Sequence, residues 1–440
     1  ALVKEEWPGL LAKGFQPTGR YGIGFFSVFM WGNHVRVTTR RADESRRDTQ
    51  VLEFSTGVGS RPFLRPAREA ERLLEGGTRV RVWLSTDPHE PAGIFHVNEM
   101  EEGMGWSFER EVRTLCPCPD ANLYVEAESG QPHRVAPAMD WVNMDGVEFL
   151  QRVSDGADVE LEEMAMIGRN LRVLRGPSGQ LLGRACISVA CDVPGSCFGM
   201  PLGLVSDGIF RGSTMGNDIG GILVGEPTSV ARHESLPVVD PDSLASWATE
   251  QAKLWLQEPV SPKTLNEVAQ VVRTCGGDVS GLPVAQGTEG WLTLEEIARQ
   301  RWPSEVVVVD PSATLQLMNL ETSSPPPGEQ PEGRAELRVP VLVVSHEHRG
   351  ALLKSRQRMG NELAWPSWLV NESSDCPESS LARAVIDTLA RAWGTTAEEV
   401  IACSSLRIPG SQFGSIGRDP QGREFTINLL SVLRKPQQSR

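Results

Sequence analysis

Two periodicities divide the chain. Apolar residues that recur every three or four positions predict helices, and strict in–out alternation predicts half-buried strands. Phe25 to Trp31 runs apolar with helical spacing and is stopped by Gly32-Asn33, after which Val35-Arg-Val-Thr-Thr-Arg40 alternates as a strand. Val51–Phe54 and Val80–Leu84 alternate in the same way, as further strands of one sheet, with a short helical stretch at Pro66–Glu75 between them. Phe108, Val112 and Leu115 make residues 105–115 an amphipathic helix, and Leu123–Ala127 is a plausible closing strand.

The pattern changes near Ala136–Asp140, where a domain boundary is expected. Residues 141–260 read as strand-rich: Leu171–Leu174 and Ala185–Val189 flank the turn Gly176-Pro-Ser-Gly179. The glycines from Gly203 to Gly225 follow no phosphate-loop pattern and fit bulges or tight strand connections. Asp240-Pro241 supplies an N-cap with proline at the first helical position, opening a helix with Leu244, Trp247, Gln251 and Leu254 along one side. From Ser261-Pro262 a third region begins, with a helix carrying Leu265, Val268, Ala269 and Val272 on one face. Thr293 and Glu296 form a capping box, and Val306–Val309 and Leu337–Val344 read as strands. The composition of Glu321–Arg334 is that of a flexible linker. Leu381, Val385, Leu389 and Trp393 form a helical stripe stopped by Gly394, and Thr396 with Glu399 caps one more helix. Core packing is the ordinary role of such stripes, with a dimer surface as the alternative.

A chain of 440 residues with 23% charged and 40% hydrophobic residues predicts two or three soluble domains, in a cytoplasmic setting by default. The formal charge of −14 argues against a protein that grips nucleic acid over a broad surface, because phosphate binding needs clustered cations. No apolar run approaches a membrane span. The eight cysteines are scattered, and only Cys116-Pro-Cys118 is close, without a second pair to complete a zinc site. His346-Glu347-His348 follows an apolar strand and reads as solvent-side polar residues rather than metal ligands.

One stretch carries chemistry. Gly19, Gly22 and Gly24 form a G-x-x-G-x-G loop ahead of the apolar helix. Without Cβ atoms, such a loop brings backbone N–H groups close to a phosphate, and the helix N-terminus adds partial positive charge. The run Gly19-Arg-Tyr-Gly-Ile-Gly-Phe-Phe-Ser-Val-Phe-Met30 resembles the glycine-loop signature of the heat shock protein 90 chaperones, members of the GHKL ATPases. Gly76-Gly77-Thr78-Arg79-Val80-Arg81-Val82 resembles that family's next landmark, a Gly-Thr opening a strand. The resemblance covers about residues 15–84 and fades after that.

What the resemblance implies is an α+β chain. Residues 1–137 would be the C-terminal half of a GHKL (Bergerat-type) α/β sandwich, 138–260 a middle-type α/β domain, and 261–440 a further α/β region. It implies ATP and Mg²⁺ as cofactors, with Gly19, Arg20, Tyr21, Gly22, Ile23, Gly24 and Phe25 at the phosphates. Tyr21 and Phe25 would anchor the loop, and Thr78 would hydrogen-bond toward adenine through a water. Arg232, after Ile222–Gly225, is the candidate for a basic residue reaching the γ-phosphate from the second domain, against the plainer reading of a surface arginine beside Glu234. Residues 1–18 would match the end of the family's mobile lid. The water-positioning Glu, the Mg²⁺-holding Asn and the Asp-x-Gly-x-Gly segment of the relatives would precede Ala1, and none is found in these residues. Hydrolysis would then depend on that upstream segment and on domain closure, in chaperone-like conformational work on client or partner proteins, with a homodimer as in the relatives. The alternative is a non-catalytic scaffold or interaction fragment derived from a GHKL protein. A DNA-repair or topoisomerase-like GHKL protein would want a basic groove that the charge balance does not offer.

Overall fold

The computed structural model describes residues 24–87, 90, 108–126, 130–154, 161–189, 202–206, 209–214, 218–227, 235–311, 336–346, 351–354, 362–366, 376–419 and 422–437. The chain is α+β and separates into two compact units, residues 1–112 and 113–440. Among the described residues, no helix is long and apolar enough to cross a membrane.

The first unit is organised on four antiparallel strands: β1 (His34–Arg40), β2 (Gln50–Phe54), β3 (Phe63–Pro66) and β4 (Gly77–Trp83), in the spatial order β3-β2-β1-β4. The alternation in β1 sends Val35, Val37 and Thr39 to one face and His34, Arg36, Thr38 and Arg40 to the other. A 3₁₀ helix, Gly24–Met30, precedes β1 and lays Phe25 and Phe29 against Phe54. Pro66–Glu75 departs from the helix expected there. Only Glu69–Glu71 makes a single 3₁₀ turn, and Phe63–Pro66 is a strand. The cause is tertiary: Ala67 and Leu73 are buried with Val51 and Thr38, and the Glu71 carboxylate is held by Arg65 and Arg36.

At the junction of the units Phe108–Leu115 is helical, as the apolar spacing predicts, although Leu115 stays exposed. Leu123–Val125 is a strand paired with His133–Ala136.

The second unit is layered. Its first sheet contains, in spatial order, Ile209–Thr214, Leu202–Ser206, Ile219–Pro227, Leu181–Ile187 and Arg172–Arg175. The 172–175 and 181–187 strands form the expected hairpin across Gly176–Gly179, with Gly179 at φ +82°. The second sheet runs Gly290–Leu292, Ala285–Gly287, Val341–Val343, Glu305–Val309, Leu429–Arg434 and Ser405–Pro409. Helices Pro241–Trp255, Pro262–Thr274 and Leu381–Trp393 place Trp247, Trp255, Val268, Val272, Val385 and Leu389 in one core shared with both sheets. Asp240 and Ser261 cap the first two through side-chain oxygens that accept from Ser243 and Thr264 N–H. The expected division at residue 260 therefore runs through a continuous core.

A second core beyond the first sheet joins Phe149, Leu150 and Ile167 to Cys186, Val205 and Ile222. A third, beyond the second sheet, joins Val307, Val309, Val341 and Val343 to Ile416, Ile427 and Leu430. Glu305–Val309 is thus apolar on both faces, and it pairs in parallel with Val341–Val343, where continuous valine runs belong. The single strand expected over Leu337–Val344 is split at Pro340: Glu336–Leu337 pairs with Gly417–Arg418 in another sheet. His346 is not solvent-side but buried, its Nε2 3.5 Å from Ser431 Oγ.

Two glycines set the spacing inside the first sheet. Gly183 (φ +151°) and Gly221 (φ +116°) lie on the paired strands Leu181–Ile187 and Ile219–Pro227. A Cβ on Gly183 would stand 2.4 Å from the Ile222 carbonyl oxygen, and one on Gly221 2.4 Å from that of Arg184.

Candidate functional site

The candidate site is the sheet face of the first unit that carries Thr78. Strand register places three rows of side chains across this face. The first is Phe54, Val35 and Val82; the second is Leu64, Leu52, Val37 and Val80; the third is Pro66, Gln50, Thr39 and Thr78. Phe25 and Phe29 pack on Phe54 in the first row, with ring centroids 5.7 and 5.0 Å from its own, and Val35 and Phe54 are buried. Cover thins along the face. Val37 and Leu52 are half-buried, while Val80 is 46% and Leu64 64% exposed. In the last row the Thr78 and Thr39 hydroxyls lie 2.9 Å apart, and Thr39 Oγ1 also donates to the Gly77 carbonyl at 3.3 Å. The result is an apolar pad with two linked hydroxyls at its rim. When Thr39 donates to Gly77, Thr78 donates to Thr39 and keeps its lone pairs for a ligand donor; when Thr39 turns to Thr78, the Thr78 proton is available instead.

The opposite face is held by charge. Arg36 donates to Glu53 at 3.0 Å, and Arg65 meets Glu71 at 2.6 and 2.8 Å and Glu53 at 3.3 Å. His34 Nε2 lies 3.1 Å from Glu53, and its ring stacks on Trp83 at 3.9 Å with 9° between planes. The guanidinium of Arg65, aided by the Arg68 N–H, holds the Glu71 carboxyl down at about 2. Arg36 first, then His34, lowers Glu53. This network ties β1, β2, β3 and the Glu69–Glu71 turn together from behind the pad.

Of the residues singled out by sequence, Phe25 packs against Phe54, and Thr78 sits on the sheet face that carries Phe54. Four strand residues, about 13 Å, separate Thr78 from Val82 in the first row. Gly24 opens the 3₁₀ helix. Gly19, Arg20, Tyr21, Gly22, Ile23 and Arg232 lie outside the described residues. Thr39 was not singled out, yet period-two alternation from Val35 and Val37 places it on the Thr78 face. Among the described residues no three His, Cys, Asp or Glu side chains are grouped to hold a metal ion. Burial pushes the thiols of Cys186 and Cys275 up to about 12, which keeps them protonated and unreactive. Neither protein-family models nor curated proteins give a match to this chain.

Proposed function

We propose that the first unit is part of a heat shock protein 90-like GHKL ATP-binding module, and that the pad receives the adenine end of the nucleotide. The observation that carries this reading is the half-exposed row Val37, Leu52 and Val80 ending at the Thr39–Thr78 hydroxyl pair. A planar heteroaromatic ring gains by covering such a surface, and a rim hydroxyl with a free lone pair or proton suits its polar edge. The glycine-loop residues Gly19 to Phe25 would bind phosphates through backbone N–H groups, with Arg20 adding charge. No hydrolytic step is assigned to the described residues. Nucleotide-gated work on client or partner proteins belongs to this reading. The second reading, a non-catalytic interaction fragment, draws on the apolar residues left exposed in this unit, among them Leu64, Leu74 and Val80.

Photo-crosslinking with an azido-adenine analogue of ATP separates the two. Labelling is expected in peptides containing Thr39 or Thr78, competed by ATP and ADP and reduced at least fivefold by Val80→Glu. Absence of competed labelling, or labelling confined to the second unit, would leave the interaction reading in place.

A further inference from the structure

The two edges of the four-stranded sheet are treated differently. β3 is four residues long and bracketed by Pro62 and Pro66, which is how proteins commonly blunt an edge. β4 runs seven residues with no proline and no register shift against β1, its one partner among the described residues.

The backbone groups on its open side can be identified. Thr39 Oγ1 donates to the Gly77 carbonyl, the Ser85 N–H donates to Trp31 O at 2.9 Å, and a Cβ on Gly32 would stand 1.9 Å from the Trp83 carbonyl oxygen. Residues 77, 83 and 85 therefore turn toward β1. By the alternation of an antiparallel ladder, the N–H and C=O groups of Thr78, Val80 and Val82 point away from it.

The side chains along this edge also alternate. Arg79, Arg81 and Trp83 line one face and Thr78, Val80 and Val82 the other. Arg36 and Arg65 on the same face are paired with Glu53 and Glu71, whereas Arg79 and Arg81 are exposed and form no ion pair with a described residue. Residues 24–87 hold eleven Arg and eight Asp or Glu, a positive excess in a chain of charge −14.

We infer that β4 is a docking edge for an extended segment of another polypeptide, added as a fifth strand, in which acidic side chains alternate with apolar ones. The acidic residues lie against Arg79 and Arg81 and the apolar ones against Val80 and Val82. A second copy of β4 fits poorly, because antiparallel self-pairing centred on Val80 sets Arg79 against Arg81. The inference does not rest on nucleotide binding.

The test uses the 440-residue chain and two fluorescein-labelled probes, a nine-residue peptide of alternating Glu and Val and its Lys–Val counterpart. Anisotropy is expected to show saturable binding of the Glu peptide, at least tenfold tighter than the Lys peptide. Hydrogen exchange followed by mass spectrometry is expected to show new protection confined to the 77–84 segment. Val80→Pro removes an outward N–H and should abolish binding. Should that variant not fold, the pair Arg79→Glu and Arg81→Glu keeps the backbone edge and should invert the preference between the peptides. Equal binding of both probes, protection elsewhere, or a dimer that buries 77–84 without peptide would overturn the inference.

Discussion

The two units contain the same kinds of β-forming residues and place them differently. In the second unit, Val306 to Val309 are buried on both sides of their strand, one set facing the helices between the sheets and the other facing Ile416 and Leu430. In the first unit, Leu64 on β3 and Val80 and Trp83 on β4 lie on the two edge strands and remain exposed. A strand buried on both faces and paired on both edges has no surface left with which to recognise anything. A strand with one edge and half of one face open has both. This contrast is the reason the recognition we propose is placed on the first unit.

The largest expected effect that bears on this contrast is a large-to-small change in the shared core. Trp255 is fully buried at the end of its helix, and Trp255→Ala should destabilise the second unit by about 3–5 kcal/mol in denaturant unfolding. A loss below about 1 kcal/mol would mean the interior is looser than its burial implies.

Acid should act on the first unit through Glu71. The Glu71 carboxyl is held at about 2 against an ordinary 4.5, mainly by Arg65. A depressed folded value stabilises above the unfolded one, so this contribution is present above pH 4.5 and is lost as pH falls toward 2. Titration of Glu71 followed by NMR should show a midpoint near 2 that moves up toward 4.5 in Arg65→Met. An unmoved midpoint would place the cause elsewhere.

The smallest effect should come from the exposed pad itself. Leu64→Ser changes a side chain that is already largely in water, and stability should stay within about 0.5 kcal/mol. A larger loss would show that the pad is covered in solution.

Local signals were legible wherever a residue acts on its own neighbours. Asp240-Pro241, Ser261-Pro262 and the capping boxes at Thr293 and Thr396 start the helices that their spacing predicts, and Gly394 ends one at φ +73°. The strand around Val35 and its partner at Val51 also follow from alternation. What escaped is set by distant contacts. Nothing near Glu71 in sequence announces Arg36, and that pairing helps explain why Pro66–Glu75 is not a helix. Pro340 divides the run from Leu337 to Val344 because its two halves find different sheets. In the candidate site Thr78 was legible through its Gly-Thr context, while Thr39 emerged only once β1 and β4 were aligned and their hydroxyls met.

Gly221 acts on the alignment of the first sheet as a whole. A displacement of two residues would preserve which side chains face each core, so burial alone does not forbid it. At Gly221, however, the Arg184 carbonyl oxygen leaves no space for a Cβ, and a two-residue slip of the 219–227 strand would bring Ile219 or Leu223 there. The glycine works as a key in a keyway, selecting among alignments that hydrophobicity ranks alike.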